Sequence, residues 1–399
     1  MNLELIYNKK SCFYLPIDYC IYILLLLYVF IDCLTGAIKI YGGLSPAVPY
    51  RILLIILMTL SVGIKIQNSI ILQIKYLFYF YLYTISLFCI LRYLFNNDTS
   101  IYNSLAMILR ISLAPIIYIY IQEIYIKKKG KIYIERIIKV NIFVLCINLL
   151  LGLIGYGENT YDDGGFGIKG FFYDGNALGA LIFCIFVYFY LTRKKNKLLT
   201  IFFIIIGIII GTKVSILGIM LYLLFVNVFG RKKYYTILII FLISLSLYVL
   251  YINNVFAYHI EKMKLLYTLY KGNILTIILS GRNIDLLKHI KYYNENFNIL
   301  QFLFGYGYLS NMKIIELDLF DTFFSYGMLF FSSIFIFYIY IIIKNRHNKK
   351  IFLFNVIYLL ISMTSGHVWY NTSSALFFGI INAYIAINKK PYEKNILYK

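Results

Sequence analysis

What most restricts this chain is its division into apolar blocks about one membrane span long, punctuated by short basic clusters. "LLTIFFIIIGIIIGTKVSILGIMLYLLFVNVFG" lies between "RKKNK" and "RKK", and the same alternation recurs along the sequence. Crossing a hydrocarbon core about 30 Å thick takes about 20 apolar residues, and every backbone N–H and C=O must be satisfied within the protein. Helices meet both demands. With 61% of its 399 residues hydrophobic, against roughly 45–50% in a soluble domain, the chain is expected to be an all-α polytopic integral membrane protein.

Twelve spans are expected, near 15–35, 49–65, 75–95, 103–126, 137–156, 175–192, 198–211, 214–230, 234–252, 316–343, 351–365 and 372–388. The formal charge of +21 invites a nucleic-acid reading, but the basic residues fall where the positive-inside rule collects them. No nucleic-acid partner is expected. With the N-terminus inside, the inner loops take Lys9 and Lys10, Lys65 and Lys75, "KKKGKIYIERIIK", "RKKNK", "RKK", "KNRHNKK" and "NKKPYEK", while the short outer loops hold Lys39, Arg51 and Lys169. Both termini are therefore expected in the cytoplasm. The first apolar block carries Asp18 and Asp32 without a small-residue cleavage pattern, so it reads as a retained helix. Cys12, Cys20, Cys33, Cys89, Cys146 and Cys184 lie in or near apolar segments without metal-ligand spacing. They imply neither a disulfide framework nor a zinc site.

The organisation follows from the spans: nine helices over 1–252 including a short hairpin at 198–230, a large extracytoplasmic loop with interfacial helices over 253–315, and three helices with a cytoplasmic tail over 316–399. The hairpin is inferred from its two basic flanks, which require an even number of crossings. Its turn, "GTKVS", places Lys213 at the outer tip. Two readings of Lys213 stand: a side chain snorkelling to the headgroups, or an anion ligand, the default for an ionisable residue at membrane depth. Arg92 and Arg110 break the positive-inside trend in the same way, separated only by the short "NNDTS" link. They either converge on a phosphate, which suits the bidentate guanidinium fork, or pair with Asp98 and backbone carbonyls.

The large loop, a plausible lid over a cavity between helices, contains "SGRNIDLLKHIKYYNENFNILQFLFGYGYLSN". As a helix, "RNIDLLKHIKYY" puts Arg282, Asp285 and His289 on one face, with Ile284, Leu287 and Tyr293 leaning the other way. His289 suits a general base near neutral pH, although an ordinary solvated polar face is the simpler reading of it and of Asp285. Then "IIELDLFDTFFSYG" places Glu316, Asp318 and Asp321 at the start of a span. There they serve either as helix-capping acids favoured by the macrodipole or as catalytic carboxylates.

In order, "IKGFFYDGNALGA" before the sixth span, the hairpin with its basic "GTKVS", "SGR" and "FGYG" in a large outer loop, and an acidic span start ending in "YG" resemble the Wzy-type polysaccharide polymerases and the related O-antigen ligases. The resemblance runs from about residue 150 onward; the first third is similar only in hydropathy. It implies a metal-independent glycosyltransferase on the outer face of the bacterial cytoplasmic membrane. Its substrate would be an undecaprenyl-diphosphate-linked oligosaccharide, joined into O-antigen, capsule or exopolysaccharide. Lys213, where arginine is more usual, and Arg282 would hold the diphosphate, joined by Arg110 and Arg92; Glu316, Asp318 and His289 compete as the base. No cofactor or metal is expected. Membrane lipid and, by analogy, a chain-length regulator are the expected partners. The ligases' His-Asn pair is missing before "ELDLFD", which favours a polymerase over a ligase. A lipid-linked oligosaccharide flippase is the third reading; it calls for two related halves, which the sequence lacks.

Overall fold

The computed structural model describes residues 16–40, 42–43, 45–64, 101–124, 130–160, 167–172, 174–192, 197–229, 279–307 and 314–393, with parts of 261–276. The helices are α1 (Pro16–Leu26), α2 (Tyr28–Ile40), α3 (Ala47–Ile64), α4 (Ile101–Ile124), α5 (Gly130–Leu153), α6 (Gly175–Thr192), α7 (Lys197–Ile210), α8 (Lys213–Phe229), α9 (Arg282–Glu295), α10 (Ile299–Phe304), α11 (Asp318–Lys344), α12 (Lys349–Ser365) and α13 (Thr372–Glu393). A two-stranded antiparallel ribbon, β1 (Glu158–Asn159) and β2 (Ile168–Gly170), joins α5 to α6.

Four helices among the described residues are long and apolar enough to cross a membrane, and a fifth span forms if α1 and α2, bent by 51°, count as one. Shorter apolar helices cover Ala47–Val62, Leu198–Ile210, Lys213–Val228 and Thr372–Ile385. This is a multi-pass membrane protein. The spans expected at 75–95 and 234–252 lie outside the described residues. Large apolar side chains stand exposed on the periphery, among them Phe143 and Leu150 on α5, Ile201 and Ile205 on α7, and Ile336 and Ile343 on α11. A bilayer is the solvent that suits them.

At the centre is α6, whose residues from Ala177 to Phe189 are all buried. It packs on α7, α8, α12 and α13. Glycines allow the tightest approaches, as small residues do between helices in lipid: a Cβ on Gly179 would meet Thr212 Oγ1 at 2.2 Å, and one on Gly379 would meet the Ala114 carbonyl of α4 at 2.9 Å. Aromatic rings join α11, α12 and α13, with Tyr338 stacked on Trp369 at 4.7 Å and Tyr358 on Phe378 at 4.3 Å. At one end of the bundle Asn382 shares hydrogen bonds with Asn355 (3.0 Å) and Asn345 (3.3 Å). The other end collects the starts of α6, α8, α9, α11 and α13 and the finish of α12.

That second end is shaped by a break in α11. Gly327 has φ 76° and ψ 175° inside the helix, so the ladder is interrupted. The carbonyls of Phe324 and Ser325 are taken instead by the backbone N–H groups of Tyr306 and Gly307, each at 2.8 Å. The two chains meet through glycine on both sides: a Cβ on Gly305 would lie 2.3 Å from Ser325 backbone, and one on Gly327 would lie 2.4 Å from Leu303 backbone. "FGYG" and "SYG" are thus two halves of one joint.

Candidate functional site

The "GTKVS" turn is two helix ends back to back. Gly211, with φ 72°, closes α7 in the left-handed conformation that glycine tolerates. Thr212 opens α8, its Oγ1 accepting the Ser215 N–H at 3.3 Å as N-cap threonines do. Lys213 is therefore in the first turn of α8, exposed, and its ammonium donates to Ser280 Oγ at 3.2 Å. The adjoining β1–β2 ribbon is pinned to the same corner, where Thr160 Oγ1 donates to the Ile210 carbonyl at 2.7 Å.

Ser280 is two residues from Arg282, which begins α9 after the left-handed Gly281. The guanidinium donates to Glu316 Oε2 through Nε (3.2 Å) and Nη2 (2.8 Å), and through Nη1 to the Thr364 carbonyl (3.0 Å) at the end of α12. On the far side of Glu316 stands His367, Nε2 3.8 Å from Oε1, an ion-pair contact too long for a good hydrogen bond. Three of the four non-glycine residues with positive φ among those described belong to this group: Ser280 (54°), Glu316 (63°) and His367 (61°). Each such residue costs on the order of 1–3 kcal/mol and persists where its surroundings enforce it. Gly366 does so here, since a Cβ on it would meet the Glu316 carbonyl at 2.2 Å.

The electrostatics follow. Glu316 is held at about 2, first by its contact with His367 and further by Arg282, with burial opposing. Burial resists a charge on His367, but the carboxylates of Glu316, Asp174 and Asp318 outweigh it and raise its pKa to about 9. At neutral pH the group holds a guanidinium, an imidazolium and a carboxylate. Asp174 belongs to "YDGNALGA": its Oδ1 accepts the Asn176 N–H at 2.9 Å, and Asn176 Nδ2 reaches the Ser365 carbonyl at 3.5 Å.

The remaining candidates are placed differently. Asp318 is fully buried, and its Oδ2 accepts the N–H groups of Val368 (2.8 Å) and Trp369 (2.7 Å). Asp321 accepts those of Ile315 (2.9 Å) and Leu317 (3.0 Å). Both acids bind backbone and so hold the segments carrying Glu316 and His367. His289 lies against the Phe324 ring, centroids 5.7 Å apart, and Asp285 pairs with Lys288 at 2.9 Å. Tyr293, expected on the opposite side of α9, packs instead on Phe323, Phe324 and Tyr306. Eleven residues are three full helical turns, which returns Tyr293 to the face of Arg282.

Arg110 is not grouped with Lys213 and Arg282. The charges around it belong to Arg51 and Asp32, with the hydroxyls of Tyr28 and Tyr326 nearby. Arg92 and Asp98 lie outside the described residues. His367 was not anticipated from sequence, and the signal for it was slight: one histidine in "SGHVWYN", a polar gap between two apolar blocks.

Chemically, the Lys213 and Arg282 corner can bind a dianion, and Glu316 can accept a proton once its cationic partners are drawn elsewhere. Residues 252–391, about a third of the chain, match the model of a family described as O-antigen ligase like membrane protein. That stretch holds Arg282, Glu316 and His367, whereas Lys213 precedes it. No curated protein and no solved structure matches the chain. The match supports a membrane protein of the O-antigen ligase and polymerase superfamily, with a glycosyltransferase-like, polysaccharide-related role.

Proposed function

We propose that the protein polymerises lipid-diphosphate-linked oligosaccharide repeat units on the outer face of the bacterial cytoplasmic membrane. An acceptor sugar hydroxyl attacks the anomeric carbon of the donor, the new C–O bond forms as the bond to the diphosphate breaks, and the hydroxyl proton passes to Glu316. The leaving diphosphate carries the charge away against Lys213 and Arg282, whose fork matches phosphate oxygens. The observation that carries this reading is the convergence of Lys213, Arg282 and Glu316, from three separate segments, at the end of the bundle.

Substrate binding and base activation are coupled in this scheme. While Arg282 is engaged with Glu316 the carboxylate is a weak base. A diphosphate that draws the guanidinium away removes one of the influences depressing the pKa of Glu316, so the base strengthens when there is something to react. The imidazolium of His367 remains beside it and compensates the charge of the donor.

A ligase is the second reading, favoured by the description of the matching family and by an imidazole beside Glu316 that comes from a segment other than the one where ligases carry theirs. Purified protein in proteoliposomes, given lipid-linked repeat units without nucleotide, tests the choice. A ladder of longer glycans supports the polymerase; transfer only to a different lipid acceptor supports the ligase. In cells, Arg282→Ala in a polymerase leaves single repeat units at the surface, whereas loss of a flippase traps them inside.

A further inference from the structure

A second group of cations lies within the helices themselves. Arg51 of α3 pairs with Asp32 of α2, Nη2 to Oδ1 at 2.5 Å, and Ser373 at the start of α13 donates to the other oxygen of the same carboxylate. Arg110 of α4 and Lys39 of α2 are within electrostatic reach of this pair. Among the described residues Arg110 reaches the Met107 sulfur, at 3.9 Å through Nη1. Its buried Nε, like that of Arg51, has no hydrogen-bond partner. Two guanidiniums therefore share one carboxylate, and among the described residues no second acid faces them.

A buried guanidinium without a counter-charge is costly, and the cost is removed when an anion occupies the site. Guanidinium donors from two helices with a lysine beside them have the chemistry of a phosphate receptor. The group is tied to the proposed catalytic site by one short segment: His367 stands beside Glu316, and Ser373 touches Asp32. Six residues of extended chain place those α-carbons no more than about 20 Å apart. Both sites are at the same end of the bundle.

We propose that Arg51 and Arg110 form a second anion site that holds the diphosphate of the acceptor's carrier lipid, leaving Lys213 and Arg282 to the donor. The assignment rests on the polymerase reading above. It gives a reaction between two lipid-anchored chains the two anchoring points it requires, and the short segment 366–373 sets the distance between them.

The test is the stoichiometry of undecaprenyl diphosphate binding to the full-length protein in nanodiscs of zwitterionic lipid. Wild type should bind two equivalents. Arg110→Gln should bind one while keeping the Arg282-dependent class, which also reports that the variant is folded, and Arg110→Lys should recover most of the second. Two equivalents retained by Arg110→Gln would overturn the proposal. If Arg110→Gln binds none, Asp32→Asn decides: removing the carboxylate that Arg51 and Arg110 share must tighten the second class several-fold, and unchanged or weaker binding overturns the site. Nanodiscs rich in phosphatidylglycerol separate the sources. A second class abolished there is a site for bulk lipid headgroups, which also overturns it; a class that survives is selective for the diphosphate. One equivalent in wild type, lost in Arg282→Ala, refutes the second site alone, whereas two equivalents with no glycan ladder refute the polymerase reading alone.

Discussion

The two charged groups of this protein differ in their state before any ligand arrives. At the end of the bundle, Arg282 and the imidazolium of His367 face Glu316, Asp174 and Asp318 act on the imidazolium, and Lys213 sits on the neighbouring Ser280, so cations and carboxylates are matched. Inside the helices, Arg51 and Arg110 share Asp32. A matched group must open an existing pair to bind an anion and is therefore suited to coupling binding with a change in basicity. In the second group the Nε atoms of Arg51 and Arg110 have no hydrogen-bond partner, so it can take up an anion without opening the Arg51–Asp32 pair and is suited to holding. Their backbones differ in the same sense, since the matched group rests on left-handed residues in loops while the cations of the other ride on regular helix.

The largest effect should come from the residue that joins anion binding to the base. Arg282→Gln should lower the rate of glycan elongation by about 10²–10³-fold, the usual consequence of losing one well-placed donor to developing negative charge, with the Arg110-dependent binding of undecaprenyl diphosphate intact. Loss of both together would erase the distinction between the groups. Next comes Gly327→Ala, which forces a side chain onto Leu303 backbone at a left-handed position. It should cost about 2–4 kcal/mol, read as a lower thermal midpoint in detergent, and it should disturb the Glu316 site while sparing the Arg51 pair.

The pH response separates the groups further. The raised pKa of His367 means its charge stabilises the folded site fully below about 6.5 and is lost as pH rises through about 9, whereas the depressed pKa of Glu316 contributes above about 4.5 and fails only as pH falls toward 2. Elongation should thus decline about tenfold above pH 9, and His367→Gln should abolish that alkaline limb. A limb that persists in His367→Gln belongs to another group. The smallest change is expected from Lys213→Ala, a few-fold loss of donor binding, because an exposed ammonium is worth about 1 kcal/mol or less. Lys213→Arg should restore it or improve on it.

Much of the architecture could be read from local pattern, because blocks of span length and basic clusters each report on their own neighbourhood. The "GTKVS" hairpin is such a case: Gly211 and Thr212 are stop and start signals for helices, and α7 ends and α8 begins at them. Partners distant in sequence could not be read. The pairing of Arg110 with Arg92 falls on a residue outside the described ones, and the nearness of Arg110 to Arg51, brought about by packing of α3 on α4, has no local signal. His367 needed knowledge of a contact made 51 residues away in sequence, to a residue that also meets Arg282. Asp318 illustrates a different limit. A carboxylate at a helix start looks the same in sequence whether it serves a substrate or, as here, two backbone N–H groups.

The joint between "FGYG" and the broken α11 has a consequence for how the protein is made. Residues 303–307 are synthesised before the span whose carbonyls they complete, so during translation they wait unpaired until residues up to Gly327 have emerged and inserted. The loop and the tenth expected span are then obliged to mature as one unit, and a ribosome stalled between them would leave a chain in which the end carrying Glu316 cannot close.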